Sequence, residues 1–581
     1  FLADACIFYP DHKDKLSVLA GAFKRLGAKV PTIPFTKMRK ILKYSRKYIH
    51  PLFDTISSDQ IQDPEDWINN INHPEQRKTE LRKVLSEMKI RGIFRPKEEG
   101  FEDIVDVNSF IKDEPYDEEK PARWINSSID EIKVLMGPIA DAAMHKLVEN
   151  RAMIKTIPVR ERAKAIYDDL GGADVIAQSS DATAMEDHYA NIDEPNGGND
   201  PRYRISNELM LHMIGHQLTP LPLLRALRTV FFSSLKHKNF DQDFLKQLWE
   251  PIKQSQTLKL LFRNVIDTYR RLNMRHFGYV LVNAILCSGE MNTSYKNTAS
   301  MYVMVNYASY QLSDKRHPYC NSKNEGDDAL SVYHNNNGPT EEWWAEHGWC
   351  VKVEFVGKVN EASFCGLVFA PEELKSVPDI RKTLAKFGWT NRRYVGASHA
   401  CHMSLLRSKA LSMACEYNDV PILGPLAQRM LYLTRHVNIR KSVIDTMEQY
   451  QREKILQYLT ERPWQCQPLI GHYTRLLVEQ LQGITISEQL ECEQIVSKIG
   501  FGGFYLRPLS FKDEWINNFC RTYTNRRIPR ILDLKGRDQL VSEMVAKLRQ
   551  DLNPQGNISG IRLRRFESMM KQMEALRQGS I

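Results

Sequence analysis

Four short stretches of the chain concentrate apolar, β-branched and aromatic residues: ADVIAQSS (173–180), ALSVYH (329–334), CVKVEFVG (350–357) and ASFCGLVFA (362–370). Turn-forming residues flank each, and each predicts a strand. Apolar residues recur at three- and four-residue intervals in DAAMHKLVENRAM (141–153), TLKLLFRNVIDTYRRLN (257–273) and NTSYKNTASMYVMVNYASY (292–310), which predicts helices there. Beyond Pro371 the pattern predicts mostly helices to the end. Three polar segments punctuate the chain: 96–121, 191–201 and 317–340, the last broken by a short apolar run. No internal repeat of about 20–50 residues is visible. The order strand, long helical insertion, helix, hairpin, strand, strand predicts an α+β core followed by a helical lobe.

Composition bounds this picture. At 581 residues the chain exceeds one ordinary domain, and length alone predicts roughly three to five lobes. Hydrophobic residues are 42% and charged residues 26%, which is enough apolar surface to exclude disorder as the main state. No run of about 18 apolar residues occurs, so no spanning helix is expected in this chain. None of the ten cysteines forms a CxxC pair, which excludes a zinc ribbon or small disulfide scaffold and makes a reducing compartment the expectation. The first residue is Phe1 and no signal peptide is visible, as in a trimmed, processed or partial chain.

The net charge is +9, mild for this size. Its placement is uneven: residues 521–581 hold 13 basic and six acidic residues, a net of +7. Within them IRLRRFESMMKQMEALRQ (561–578) reads as a basic helix, either a solvated surface or a face for phosphates.

Candidate chemistry begins at EGDDAL (325–330), where Gly326 at a tight turn can take a positive φ and present Asp327 and Asp328. Carboxylate oxygens suit hard divalent cations. A two-metal site draws its carboxylates from separate segments, and Asp181, directly after the run ADVIAQSS, is the upstream candidate. Asp181 also reads as a helix N-cap. Glu186 and Asp187 follow it. Between these acids lies Ser288-Gly289, then Thr293 and Asn297, in the pattern SGxxxTxxxN. Gly289 is expected to let a loop flex. Thr293 and Asn297 share one helix face, where a hydroxyl and an amide can hydrogen-bond a sugar hydroxyl or simply cap a surface helix.

Together these segments resemble motifs A, B and C of viral RNA-dependent RNA polymerases, and within them the positive-strand tombus-like and noda-like group. FIKDEPYDEEKPARWI (110–125) resembles motif F, GWCVKVEFVGKV (348–359) motif D and ASFCGLVF (362–369) motif E. The resemblance covers roughly residues 109–371 and departs from the family pattern in two places. The second acid of motif A is either Glu186 or Asp187, and the segment YCNSKNE before the turn is more polar than the usual strand.

The resemblance implies a right-hand fold with fingers, palm and thumb. An N-terminal extension and fingers would occupy 1–150, palm 151–205, a fingers insertion 206–274, palm again 275–385 and a mostly helical thumb 386–581. It implies that Asp181, Asp327 and Asp328 hold two Mg²⁺ ions, with Mn²⁺ able to substitute. Lys112, Lys120 and Arg123 would bind the triphosphate. Ser288, Gly289, Thr293, Asn297 and one of Glu186 and Asp187 would select the ribose. Lys352 or Lys358 would protonate the leaving pyrophosphate. The implied partners are an RNA template, nascent RNA, ribonucleoside triphosphates and viral or host replication proteins, in the host cytoplasm within membrane-associated replication complexes.

Three rival readings stand beside this one. HMIGH (212–216) spaces two histidines as zinc ligands but lacks the metalloprotease glutamate, and HACH (399–402) has no companion pair. A non-catalytic RNA-binding scaffold would share the basic tail without needing all the acids. A reverse transcriptase would normally lack the serine, threonine and asparagine set.

Overall fold

The computed structural model describes most of residues 31–91, 104–112, 123–188, 203–218, 269–313, 315–388, 394–445, 449–461 and 467–501, with isolated positions at 18, 21, 22 and 506–510. Its ten strands are β1 (Ile104–Ile111), β2 (Trp124–Ser128), β3 (Ile176–Ala182), β4 (Tyr269–Met274), β5 (Gly278–Asn283), β6 (Asn321–Glu325), β7 (Asp328–Val332), β8 (Val351–Lys358), β9 (Leu367–Ala370) and β10 (Lys375–Pro378). The helices up to the central sheet are α1 (Phe35–Tyr44), α2 (Pro64–Asn70), α3 (Glu75–Arg91), α4 (Asp130–Glu149), α5 (Val159–Leu170), α6 (Tyr203–Leu218), α7 (Thr293–Leu312) and α8 (Glu341–Glu346). After β10 come α9 (Ile380–Lys386), α10 (His399–Tyr417), α11 (Leu423–Leu433), α12 (Lys441–Asp445), α13 (Gln449–Glu461), α14 (His472–Gln482) and α15 (Ile486–Lys498). The architecture mixes helix and sheet, as expected, and the last stretch is helical apart from β10.

Two four-stranded sheets and one hairpin organise the chain, in the orders β2-β1-β4-β5, β6-β7-β3-β8 and β10-β9. The second sheet is antiparallel throughout. One face of it joins α7 and the N-terminal helix α1 in a shared core, where Met38, Ile41, Met301, Met304, Ala329 and Trp349 are buried together. The other face packs on α5 through Ala163, Ile166, Ala177, Leu330 and Phe369. The C-terminal helices form a separate core, which Ala370 and Val377 of the β9–β10 hairpin enter. Among the described residues no helix is long and apolar enough to cross a membrane.

One expectation is corrected here. The helix expected over 257–273 does not hold at its described end, because Tyr269–Met274 is β4. That strand pairs in parallel with β1 and antiparallel with β5. The sequence YRRLNM has no decisive helical period, and two flanking strands offer its backbone a complete ladder. β4 and β5, on either side of residue 275, pair from Tyr269↔Asn283 to Met274↔Gly278. The polar segment before the turn is a full strand, β6, with Ser322, Lys323 and Asn324 buried. The basic tail from 521 onward lies outside the described residues.

Candidate active site

Acids that sequence places 147 residues apart, Asp181 and Asp328, meet across one pair of strands. β3 and β7 run antiparallel with Asp181 directly opposite Asp328. Asp327 sits in the two-residue turn between β6 and β7, and the Ala182 amide reaches its carbonyl at 3.4 Å. Gly326 takes φ +68° with open space around its Cα, so the backbone conformation calls for glycine there. The turn is also held from outside: the Gly326 amide donates to Thr298 Oγ1 at 3.0 Å, and Thr298 is fully buried in α7.

On the other side of β3, an irregularity in the pairing with β8 decides what faces Asp181. Ser179 pairs with Phe355 and Ser180 with Val353, so Glu354 is an extra residue in β8. This bulge brings Lys352, in place of Val353, opposite Asp181. Directly opposed residues share a face of the sheet. The Lys352 ammonium lies 3.7 Å from Glu354 and is exposed. Lys358 is at the other end of β3, opposite Ile176, where it pairs with Asp174 at 2.9 Å. Of the two lysines, only Lys352 is beside the acids.

Crowding leaves an electrostatic mark. Burial first, then the charges of Asp327 and Asp181, a hydrogen bond with the Asp181 carboxyl and the charge of Glu354 push the Asp328 carboxyl up to about 8. Both burial and like charge disfavour the ionised form. Among the described residues no three His, Cys, Asp or Glu side chains form a ready-made metal cage. The donor set nonetheless suits a hard cation: carboxylate oxygens crowded at one strand end, one of them with its pKa raised by burial and like charge. Mg²⁺ is ordinarily bound through one or two carboxylates, with water and substrate phosphates completing its shell, and needs no protein cage.

The SGxxxTxxxN segment is placed differently from expectation. Gly289 does not provide slack. Its amide donates to the Asn126 carbonyl at 2.8 Å, and a Cβ there would lie 2.9 Å from Ser127 Cα. Its φ is not positive, so close approach to β2 is what requires glycine. Ser288 Oγ accepts from the Asn126 amide at 3.2 Å. The Thr293 hydroxyl donates toward the carbonyls of Cys287 (2.6 Å) and Glu290 (3.1 Å), which commits its proton to the loop. Asn297, one turn on, keeps a buried Oδ1 with no hydrogen-bond partner among the described residues. Ser288, Thr293 and Glu290 line one wall of a cavity of about 750 Å³, with Lys155 and Arg160 on the adjoining segment and Tyr458 of α13 closing it.

The described ends of the 110–125 segment lie in and beside β1 and β2, whose antiparallel ladder continues one step past Ile111↔Trp124 through the Lys112 amide and Arg123 carbonyl at 2.8 Å. Lys120 and the side chains of Glu186 and Asp187 lie outside the described residues. Of the histidines in the zinc reading, His212 Nε2 meets the Phe53 carbonyl at 3.2 Å and His402 Nε2 the Tyr394 carbonyl at 2.7 Å.

Sequence reasoning misses three groups that hold the site. Thr298 follows Asn297 directly, and a lone hydroxyl on the core face of α7 is its only signal. Glu325 precedes the turn and is approached by Arg162 (3.5 Å) and the Cys365 thiol (3.6 Å). Burial, with the charges of Glu325 and Asp328, pushes that thiol's pKa up. His188 accepts from the Cys350 amide at 2.7 Å and stacks on Trp349, so it ties the segment after β3 to the start of β8.

No protein-family model matches the chain and no curated protein matches it. Among solved structures, one described as "Sicinivirus 3Dpol RNA dependent RNA polymerase" is similar, with a TM-score of 0.46 and 12% identity over 85% of this chain and 94% of that one.

Proposed function

We propose that this chain is a template-directed RNA polymerase of the viral RNA-dependent kind, using ribonucleoside triphosphates. The observation that carries the reading is the β3–β7 register that sets Asp181 against Asp328, with Asp327 in the adjoining turn. In this reading the antiparallel sheet is the palm, the β1–β2 and β4–β5 sheet belongs to the fingers and the C-terminal helices form the thumb. The tombus-like and noda-like assignment rests on motif order alone.

Bound at Asp181 and Asp327, two Mg²⁺ ions, or Mn²⁺, would supply Lewis-acid stabilisation of the attacking and leaving oxygens. Burial and the neighbouring carboxylates push the Asp328 carboxyl up to about 8, and bound cations would lower it again. Lys112, Lys120 and Arg123 orient triphosphate oxygens, and the arginine can bond two at once. Asn297 Oδ1 has the spare acceptor capacity to take a ribose hydroxyl proton. Ser288 and Gly289 dock its loop on β2, and Thr293 clasps that loop. Lys352, beside Asp181, is the better placed proton donor for pyrophosphate. Phosphoryl transfer of this type depends mainly on positioning and charge. The template and product RNA, viral or host replication proteins, and a cytoplasmic, membrane-associated replication complex follow from the same reading.

The test is nucleotide incorporation on a short RNA template with Mg²⁺ and with Mn²⁺. Asp327→Asn should lower incorporation by on the order of 100-fold, the scale of one lost charge-stabilising group, with the circular dichroism spectrum unchanged. Full turnover in that variant removes the assignment. In the same assay ATP is compared with dATP for Asn297→Ala, Glu186→Ala and Asp187→Ala. Loss of one polar contact of about 1–3 kcal/mol should erode ribose preference about 5- to 150-fold for Asn297 and for one of the two acids.

A further inference from the structure

The C-terminal helical lobe carries a cation-flanked aromatic surface that none of the motifs includes. Tyr432, at the end of α11, is 55% exposed. The Arg435 guanidinium lies 4.3 Å from its ring centroid and that of Arg429 lies 5.6 Å away. Arg429 Nε is anchored on the Ile499 carbonyl at 2.8 Å, just past α15. Two residues beyond Ile499, Phe501 is 51% exposed. Between Asp419 and Asp445 the chain has no acidic residue, and Arg435, Arg440 and Lys441 are all exposed. Three of the acids near it along the chain and on the packed helices are engaged elsewhere: Asp419 with Lys375, Glu416 with Lys454 and Glu493 with Arg475.

We propose that this face of α11 and the segment after it is a binding platform for single-stranded RNA, on which a base stacks against Tyr432 while Arg435, Arg440 and Lys441 follow the phosphates. Exposed rings interleaved with arginines are what sequence-tolerant single-strand binding requires, because every base has a π-face and every linkage a charge. An acidic peptide would use the cations and leave Tyr432 and Phe501 without a role. An anionic lipid surface would need apolar residues free to insert, and Leu423, Leu426, Met430 and Leu431 of α11 are buried in the lobe's own core. The choice of RNA over other single strands rests on the polymerase reading; the platform itself does not.

The experiment is fluorescence anisotropy of the full chain with a labelled RNA of about 12 nucleotides, within single-strand site sizes, over a range of salt. Tyr432→Ala should weaken binding about tenfold, and Tyr432→Phe, which keeps the ring, should restore it. Replacing Arg435, Arg440 and Lys441 together by Gln should reduce the slope of log K against log salt by about 2, at about 0.7 for each phosphate contact. Thermal unfolding of each variant checks that the lobe is intact. Unchanged affinity and slope in both variants overturn the platform. So does a loss, in these variants, of binding to vesicles of phosphatidylcholine and phosphatidylserine with RNA binding intact. A wild-type chain that incorporates no nucleotide yet binds RNA through Tyr432 defeats the polymerase reading and leaves the platform standing.

Discussion

β6 and the β3–β7 strand ends belong to one sheet and both bring polar groups out of water, with opposite consequences. In β6 Lys323 and the Asn324 amide nitrogen have partners, and Asn324 Oδ1 alone of that side chain has none among the described residues. Lys323, with no exposed surface, pairs with Asp169 and donates to the Arg151 carbonyl at 2.7 Å. Asn324 Nδ2 donates to the Ala152 carbonyl at 3.1 Å, and its backbone joins the same segment through Ile154 and Ala152. At the strand ends the like charges of Asp181, Asp327 and Asp328 converge. Among the described residues no lysine or arginine pairs with Asp328, whose carboxyl is pushed up to about 8. Satisfied polar groups build structure. A repelling cluster stores unfavourable energy that a cation can relieve, which is the signature of a site.

The comparison can be broken at its strongest point. Lys323→Ala should destabilise the chain by about 2–3 kcal/mol, because the Arg151 carbonyl loses its buried donor and Asp169 keeps only Arg151, at 2.9 Å, as a cation. Chemical denaturation measures this, and a loss below about 1 kcal/mol would mean that the pair is not structural. Asn324→Ala should cost less, about 1–2 kcal/mol, since the Ala152 carbonyl keeps the backbone bond from Asn324.

Asp328→Asn should act in the opposite direction. A carboxyl raised from about 3.9 in the unfolded chain to about 8 when folded makes the native state bind more protons between those values. Metal-free stability is therefore fully supported below about pH 4 and falls as pH rises toward 8. The asparagine variant should flatten that slope and unfold at a higher temperature than wild type near pH 8. Mg²⁺ should raise the wild-type midpoint more at pH 8 than at pH 6. Parallel pH profiles of the two proteins without metal would show that the cluster is not frustrated.

Much of the site is legible in the residues alone. Gly326 announces the turn, and the run ADVIAQSS announces the strand that ends at Asp181. The helix over 292–310 is legible because its apolar period persists for five turns, and it is α7. β6 is harder, since NSKNE looks like a loop until Asp169 and the 151–154 segment supply its partners. β4 is hidden because six residues carry too little period to outweigh a helical pattern upstream. Gly289 reads as slack because a close backbone approach leaves no trace in local sequence.

The sequence by itself determined the residue types, the tight turn and the order of acids and amides, all set by conformational preferences acting over a few residues. Only the tertiary structure decided which groups meet. Pairing brought Asp181 to Asp328 over 147 positions, and the extra residue Glu354 in β8 turned Lys352 toward Asp181 while Lys358 went to Asp174. Side chains alternate along a strand, so a shift of one residue changes which face every later side chain takes. Register is fixed by the packing of the whole sheet on α5 and α7, and no local stretch of the chain contains that information.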